Sequence, residues 1–178
     1  MIVDLREIRQ RDKPHSVKTH FDAEQLGGTK GLVTLPGGAD CDLVVTAMEA
    51  HASVTGHVAS ELLLTCCRCL KRFPLELDKN FRVDYAPDLD ASLDGEELTL
   101  TYSELDVGFY HNNELDLTAV VSEQLHLEVP MKPVCDDQCR GLCDQCGIDL
   151  NQGSCDCTHE APDPRLDALR DLRKRMPQ

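Results

Sequence analysis

Cysteine is the residue type whose spacing in this sequence most clearly indicates chemistry. Ten of the 178 residues are cysteines. Eight of them form four close pairs: Cys66 with Cys69, Cys135 with Cys139, Cys143 with Cys146, and Cys155 with Cys157. A close pair supplies two thiolates from one tight turn, and Zn²⁺ in structural sites takes four ligands in a tetrahedron. The spacing therefore predicts two structural four-cysteine zinc sites.

The sequence leaves two ways of dividing these cysteines between the sites. In the local division, the short loop 143–157 closes its own site, and Cys66 and Cys69 meet Cys135 and Cys139. In the competing division, one ion is bound by Cys139, Cys143, Cys146 and Cys157. We favour the local division because the loop is short. Cys41 and Cys67 are left over, and we expect Cys41 to be a small buried side chain and Cys67 to point away from the metal.

Iron–sulfur and disulfide chemistry are the alternatives to zinc. The segment CRGLCDQC (139–146) has the C-x3-C-x2-C spacing of radical iron–sulfur enzymes, but these resemble (β/α) barrels, which need more alternating strand–helix units than this chain offers. The N-terminus is charged and lacks the apolar segment of a secretory signal, and no stretch is apolar enough for a membrane helix. We therefore expect a cytoplasmic protein, in which clustered thiols bind metal rather than form disulfides.

Nothing in the sequence indicates catalysis. Four thiolates per site leave no open position for a substrate or an activated water. The sequence also has no G-x-S-x-G, P-loop or dinucleotide-binding motif. We therefore expect the protein not to be an enzyme.

The elements that position the cysteines are predicted by alternating polarity. In 54–65 the apolar residues fall mainly at even positions, and in 73–85 they fall at odd positions. Such alternation is typical of strands with one buried face. Because the two runs flank CCRCLK, we predict an antiparallel hairpin whose tip carries Cys66 and Cys69, with Phe73, Phe81 and Tyr85 on its core side. Further strands are expected in VDLREI (3–8), 42–48 and 105–110.

Helices complete the predicted fold. Asp116 is a plausible N-cap for a helix that buries Leu117, Val120, Val121 and Leu125 and ends at Pro130. The sequence predicts an α+β fold, with a mostly antiparallel β core, a few helices and a C-terminal cysteine-rich zinc knuckle. We expect a β-rich core over 1–131 that includes an acidic loop at 86–104, a zinc-binding segment over 132–160 and a C-terminal helix over 161–178.

Charge limits the classes of partner. The formal net charge is −14, which disfavours non-specific adhesion to nucleic acid or to an anionic membrane. Between Val83 and Met131 there are twelve acidic residues and no Lys or Arg. Such a block is usually a solvated surface, and it could also dock a basic partner.

Four segments together resemble the YceD family, the large ribosomal RNA subunit accumulation proteins of bacteria and plastids. They are CCRCL at the hairpin tip, VPMKPVC, CRGLCDQCGIDLNQGSCDC and the final DPRLDALRDL. The resemblance implies a non-enzymatic cytoplasmic factor needed for large-subunit ribosomal RNA to accumulate, and hence for ribosome biogenesis. Some members lack the later cysteines, which implies that Cys66, Cys69, Cys135 and Cys139 form the common site.

Charge and resemblance together leave two kinds of partner. Direct contact with ribosomal precursor RNA would need a localised basic face, and the candidates are Arg68, Lys71, Arg72 and Arg82 beside the first zinc. Otherwise the chain is an acidic adaptor that binds a basic ribosomal or RNA-processing protein without touching RNA. No small-molecule substrate is evident.

Overall fold

The fold is built on one large β-sheet, and the cysteine-rich segment follows it in the chain. The computed structural model describes residues 1–11, 13–27, 33–49, 51–88 and 107–157. The elements in chain order are β1 (Ile2–Asp4), α1 (Leu5–Arg11), β2 (His15–Phe21), β3 (Val33–Thr34), β4 (Ala39–Met48), β5 (His51–Thr65), β6 (Arg72–Pro87), β7 (Val107–Tyr110), β8 (Glu114–Asp116) and α2 (Leu117–Leu127). The expected C-terminal helix and residues 89–104 of the expected acidic loop lie outside the described residues.

The main sheet has the strand order β2-β4-β5-β6-β7, and β3 also pairs with β5. All of its pairings are antiparallel except that of β6 with β7, which is parallel. β1 and β8 form a separate two-stranded sheet. The predicted α+β class with a mostly antiparallel sheet is confirmed, and the parallel β6–β7 pair is the feature that alternation did not predict.

The predicted hairpin is β5 and β6. Their register runs from Ala52 opposite Tyr85 to Thr65 opposite Arg72. The even-numbered apolar residues of β5 are at most 3% exposed: Ala52, Val54, Val58, Leu62 and Leu64. The odd-numbered apolar residues of β6 pack against the same core. At about 3.3 Å per residue, these 15- and 16-residue strands extend about 50 Å, so they form the longest element and carry their connecting turn to the end of the sheet.

Helix α2 has the cap and the buried face that the sequence predicted, and this face packs into the core of the sheet. The Asp116 side chain caps it by accepting a hydrogen bond from the Thr118 amide, and the expected Leu117, Val120, Val121 and Leu125 are buried. The helix ends at Leu127, three residues before Pro130. A proline disfavours the helical conformation of the residue before it, so the helix stops short of Val129.

The segment VDLREI is the part of the fold that was predicted wrongly. Only β1 is extended there, and α1 begins at Leu5. The Asp4 carboxylate accepts a hydrogen bond from the Arg6 amide at 2.8 Å, which satisfies one of the free N–H groups of the first helical turn. Leu5 and Ile8 are buried, and their spacing of three fits a helix rather than a strand.

Candidate metal centre

The hairpin turn and the segment after α2 bring four cysteines together. Cys66 and Cys69 lie at the turn between β5 and β6, and Cys135 and Cys139 follow α2. The amide of Cys67 donates to the carbonyl of Pro133 at 2.8 Å, which joins the two segments. All four Sγ atoms lie within 4.8 Å of one another, and we call this group the tip cluster.

The sulfur spacing of the tip cluster fits a tetrahedral thiolate site. Cys66 Sγ lies 4.0 Å from Cys139 Sγ, and Cys69 Sγ lies 3.6 Å from Cys135 Sγ. A zinc ion with Zn–S bonds of about 2.3 Å requires sulfur–sulfur edges of about 3.8 Å. Cys66, Cys69 and Cys139 are also buried. Four thiols this close together, three of them buried and Cys135 exposed, are a donor set that could hold a metal ion.

Backbone hydrogen bonds lower the pKa of one of these thiols, Cys66. Burial opposes the charged form of Cys66, but hydrogen bonds from the backbone of Cys69, Cys135 and Arg68 lower its pKa from 9.0 to about 6. The Arg68 amide lies 3.4 Å from Cys66 Sγ. Hydrogen bonding with Cys69 and burial raise the pKa of Cys135 to about 12. The Cys66 thiol therefore ionises more readily than the Cys135 thiol.

A second group, which we call the loop cluster, consists of Cys143, Cys146, Cys155 and Cys157. Its Sγ atoms also lie within 4.8 Å of one another. Backbone hydrogen bonds from Cys146 and Gln145 lower the pKa of Cys143 to about 6. The two clusters correspond to the local division of the cysteines, and Cys139 lies in the tip cluster rather than with Cys143.

The turns that begin the two clusters have the same backbone geometry. In the tip cluster, the Cys66 amide donates to Lys71 O and the Leu70 amide donates to Cys66 O. In the loop cluster, the Cys143 amide donates to Ile148 O and the Gly147 amide donates to Cys143 O. The fifth residue of each turn is left-handed, with φ +60° at Leu70 and +73° at Gly147. Each turn thus presents two sulfurs on one side of a short, hydrogen-bonded loop.

The two leftover cysteines lie where the sequence analysis predicted. Cys41 is 4% exposed within β4, and burial raises the pKa of its thiol to about 11. Cys67 is exposed and lies outside both clusters. Neither cysteine is positioned to share a metal ion with the others.

The four cations proposed as a contact face do not form one patch. Arg68 donates to the carbonyls of Asp137 and Cys139 at 2.9 and 3.0 Å, so it braces the tip cluster. Lys71 pairs with Asp149 at 2.6 Å. Arg82 pairs with Asp84, and it lies ten positions along β6 from Arg72, about 33 Å away. Arg72 and Arg82 belong to one extended strand, and only Arg72 lies at its hairpin end. The expectation that Arg82 lies beside the first site is therefore wrong. Arg72 is exposed at the hairpin end.

Two polar residues that sequence reasoning missed connect the clusters. Asp149 is 14% exposed and receives the Lys71 ammonium, whose hydrogen bond lowers the pKa of the Asp149 carboxyl. The Asn151 side chain lies 3.4 Å from Cys139 Sγ. One signal in the sequence could have identified both residues. They lie inside the loop 143–157, between two cysteine pairs, where a polar side chain has sulfur atoms as neighbours.

Comparison with known proteins gives one family. A family model described as large ribosomal RNA subunit accumulation protein YceD matches residues 54–173. An Arabidopsis thaliana protein named large ribosomal RNA subunit accumulation protein YCED homolog 1, chloroplastic, is 37% identical over 65 residues, which are 36% of this chain and 20% of that protein. The homolog 1 protein of Zea mays is 28% identical over 135 residues, which are 64% of this chain and 46% of that protein.

Bacterial relatives match a longer part of the chain. An uncharacterized protein of Mycobacterium tuberculosis is 33% identical over 140 residues, which are 75% of this chain and 62% of that protein. The chain thus spans from a fifth to somewhat under two thirds of the length of these relatives. No solved structure matches the chain. Neither helix of the described residues has the length and apolar composition of a membrane span.

Proposed function

The chain belongs to the YceD family of large ribosomal RNA subunit accumulation proteins, and on that premise we propose that it is a non-enzymatic zinc-binding factor for large-subunit ribosomal RNA accumulation. The match to the YceD family over 54–173 is the observation that carries the proposal. The matched range includes the β5–β6 hairpin and both cysteine clusters. We further propose that the protein acts in the cytoplasm, during ribosome biogenesis.

The proposed role of zinc is structural. Each cluster offers four thiols and so a closed site, in which a thiolate occupies every position that a substrate or water would need. At the tip cluster, zinc would tie the β5–β6 turn to the segment after α2. At the loop cluster, it would close the loop 143–157 on itself. Zinc supplies no reaction in this role, and its effect is to hold a defined surface at the end of the hairpin.

A second candidate function is an adaptor for a basic ribosomal or RNA-processing protein, and the pairing of the cations favours it. Arg68, Lys71 and Arg82 are engaged with acceptors of the chain itself. The segment 132–157 carries five aspartates against Lys132 and Arg140. Each zinc with four thiolates would add a formal charge of about −2. Such a surface repels phosphates and attracts a basic protein.

The solvent face of the hairpin supports the same candidate. Glu61 of β5 lies directly opposite Glu76 of β6, and both side chains are exposed. Like charges in directly opposed cross-strand positions destabilise a sheet by a few tenths of a kcal/mol or more. A cationic side chain of a partner would relieve that repulsion, which gives this face a preference for basic proteins.

Depletion of the protein in cells tests the leading function. We expect the level of large-subunit ribosomal RNA and of large-subunit particles to fall, while small-subunit RNA serves as the internal control. Normal large-subunit levels after depletion would refute the proposal.

Elemental analysis of the purified protein tests the cofactor. The expected result is a colourless protein with two zinc ions per chain, whereas a brown protein with iron would refute zinc.

A pull-down from cells, with and without RNase, separates the two kinds of partner. The adaptor function predicts a basic protein that stays bound after RNase treatment. It also predicts that the partner is lost when Asp88, Asp90, Asp94, Glu96 and Glu97 are replaced by their amides. Recovery of ribosomal precursors only without RNase would favour direct contact with RNA.

A further inference from the structure

Asn151, in the loop that closes the loop cluster, makes a hydrogen bond to a sulfur of the tip cluster. Its Nδ2 donates to Cys139 Sγ at 3.4 Å and to Asp149 Oδ1 at 2.8 Å. Its Oδ1 accepts from the Arg140 amide at 2.8 Å. A backbone N–H can only donate, so the Arg140 contact fixes which end of the side-chain amide carries the oxygen. The NH₂ group must therefore face the sulfur.

The position of Asn151 depends on the fold of the loop cluster. The Asn151 amide donates to Asp149 Oδ1 at 2.9 Å, which holds the two residues in one tight turn. Asp149 pairs with Leu142 in a β-bridge. The preceding residue, Ile148, accepts from the Cys143 amide at 2.9 Å. A continuous chain of bonds thus runs from the first ligand of the loop cluster to the amide that faces Cys139.

Two further contacts dock this loop on the hairpin turn. The Leu142 amide donates to Arg68 O at 3.1 Å, and Lys71 Nζ lies 2.6 Å from Asp149 Oδ2. Gly141 makes the approach possible, because a Cβ at that position would lie 2.9 Å from Arg68 O. Arg68 and Lys71 both belong to the turn that presents Cys66 and Cys69. The loop cluster is therefore packed against the tip cluster and does not hang free from it.

We propose that the two clusters form one coupled unit in which Asn151 is a positioning residue: a metal ion in the loop cluster holds the Asn151 amide against Cys139 and so strengthens metal retention in the tip cluster. The inference rests on the proposed binding of a metal ion by both clusters. An N–H donor stabilises the negative charge of a thiolate ligand. Removing such a supporting hydrogen bond costs about 10- to 100-fold in metal affinity.

Asn151→Asp tests this coupling in the full-length protein loaded with two equivalents of Zn²⁺. The aspartate has nearly the same shape but places a carboxylate oxygen where the NH₂ group faces Cys139. We expect zinc release from the tip cluster into a chromophoric chelator to be about 10- to 100-fold faster than in the wild type. Gln152→Glu is the matched control, because it makes the same chemical change on the adjacent exposed side chain. Release from Asn151→Asp at the wild-type rate would overturn the inference.

Cysteine variants and cadmium identify which site responds. In ¹¹³Cd-loaded protein, Cys146→Ser should remove one of two resonances, and the one that remains reports the tip cluster. Asn151→Asp should shift that same resonance, a change that a general loss of stability would not produce. In the Cys146→Ser variant, the metal ion of the tip cluster should already be released faster than in the wild type. Adding Asn151→Asp to this variant should then cause no further acceleration. A full additional effect there would overturn the coupling.

The outcomes also separate this inference from the proposed function. A wild-type protein that takes up no metal refutes the zinc role, and the inference fails with it. A wild-type protein that holds two metal ions, with release rates indifferent to both Asn151→Asp and Cys146→Ser, refutes only the coupling.

Discussion

At the scale of single residues, the two cluster turns differ at their left-handed position. The tip turn has Leu70 there, a residue that is 63% exposed, and the loop turn has Gly147. A left-handed conformation costs an L-residue about 1–2 kcal/mol, and glycine adopts it without that strain. The tip turn therefore carries a strain that the loop turn avoids, and hydrogen bonds from the Cys67 amide to Pro133 O and from the Arg68 amide to Cys66 Sγ hold the turn in place.

This difference predicts opposite effects of two substitutions. Gly147→Ala should destabilise the loop cluster by about 1 kcal/mol, because alanine at φ +73° is strained. Leu70→Gly should leave stability unchanged or raise it by up to about 1 kcal/mol, because strain relief offsets the larger entropy of unfolded glycine. Thermal unfolding of the zinc-loaded protein measures both. Gly153→Ala, at a position with open space for a Cβ, is the control. An unaltered transition for Gly147→Ala would contradict the strain argument.

Thiol reactivity gives a second prediction at this scale. In the zinc-loaded native protein, iodoacetamide should modify one cysteine per chain, Cys67, since it is exposed and outside both clusters. Cys41 should stay unmodified, because it is buried and its pKa is raised to about 11. Mass spectrometry of peptides identifies the labelled residue. After metal removal, the exposed Cys146 should also react. Labelling of any cluster cysteine in the loaded protein would exclude it as a ligand.

At the scale of elements, the tip cluster joins distant parts of the chain and the loop cluster joins near ones. Cys69 and Cys135 are 66 positions apart, so the tip cluster brings the hairpin turn together with the segment after α2. The loop cluster lies within 143–157. A cross-link between distant segments removes more conformational freedom from the unfolded chain than a local one does.

This contrast predicts different consequences for one ligand of each cluster. Cys143→Ser should lower the zinc content by about one ion per chain and leave the unfolding of the β core close to that of the wild type. Cys66→Ser should lower the midpoint of global unfolding as well, because the hairpin turn loses its connection to the segment after Pro133. Elemental analysis and circular dichroism measure the two effects, and Cys67→Ser is the control. Identical behaviour of the two variants would contradict the assignment.

Particular elements show what the sequence could and could not predict. The β5–β6 hairpin and the α2 cap followed from alternation and from Asp116, because their causes are local in the chain. Helix α1 was missed because it has only seven residues and a strand-like start. The parallel pairing of β6 with β7 joins residues 23 positions apart, and no local pattern encodes it. The placement of Asn151 beside Cys139 was missed because it depends on how two turns dock.

At the scale of the whole molecule, the described residues form two cores that meet at Phe73. The larger core consists of apolar side chains of the sheet and the helices, and the smaller one of Cys66, Cys69 and Cys139 with Phe73 and Val134. Apolar burial stabilises the first, at about 25 cal/mol per Å² removed from water, without any metal. The second has few apolar contacts, so its order depends on the bonds that its sulfurs make.

Metal removal should therefore loosen one end of the molecule and spare the rest. We expect a strong chelator to abolish amide hydrogen-exchange protection in the turn 66–71 and in 133–151. The paired amides of β4 and β5 should stay protected, because their side chains lie in the larger core. Hydrogen exchange followed by mass spectrometry checks this. Loss of hydrogen-exchange protection throughout the sheet would mean that the β core is not stably folded without metal.

The separation of the tip-cluster ligands along the chain has a consequence for the order of events during synthesis. Cys66 and Cys69 are made 66 or more residues before Cys135 and Cys139. At about 5–20 residues per second, the first two thiols wait roughly 3 to 13 seconds for their partners. The residues of β2 to β6 have all been synthesised by the time that Cys135 is added. On the proposed role of zinc, we therefore expect the metal to enter a nearly finished sheet, as a late step that joins a preformed hairpin end to a segment made much later.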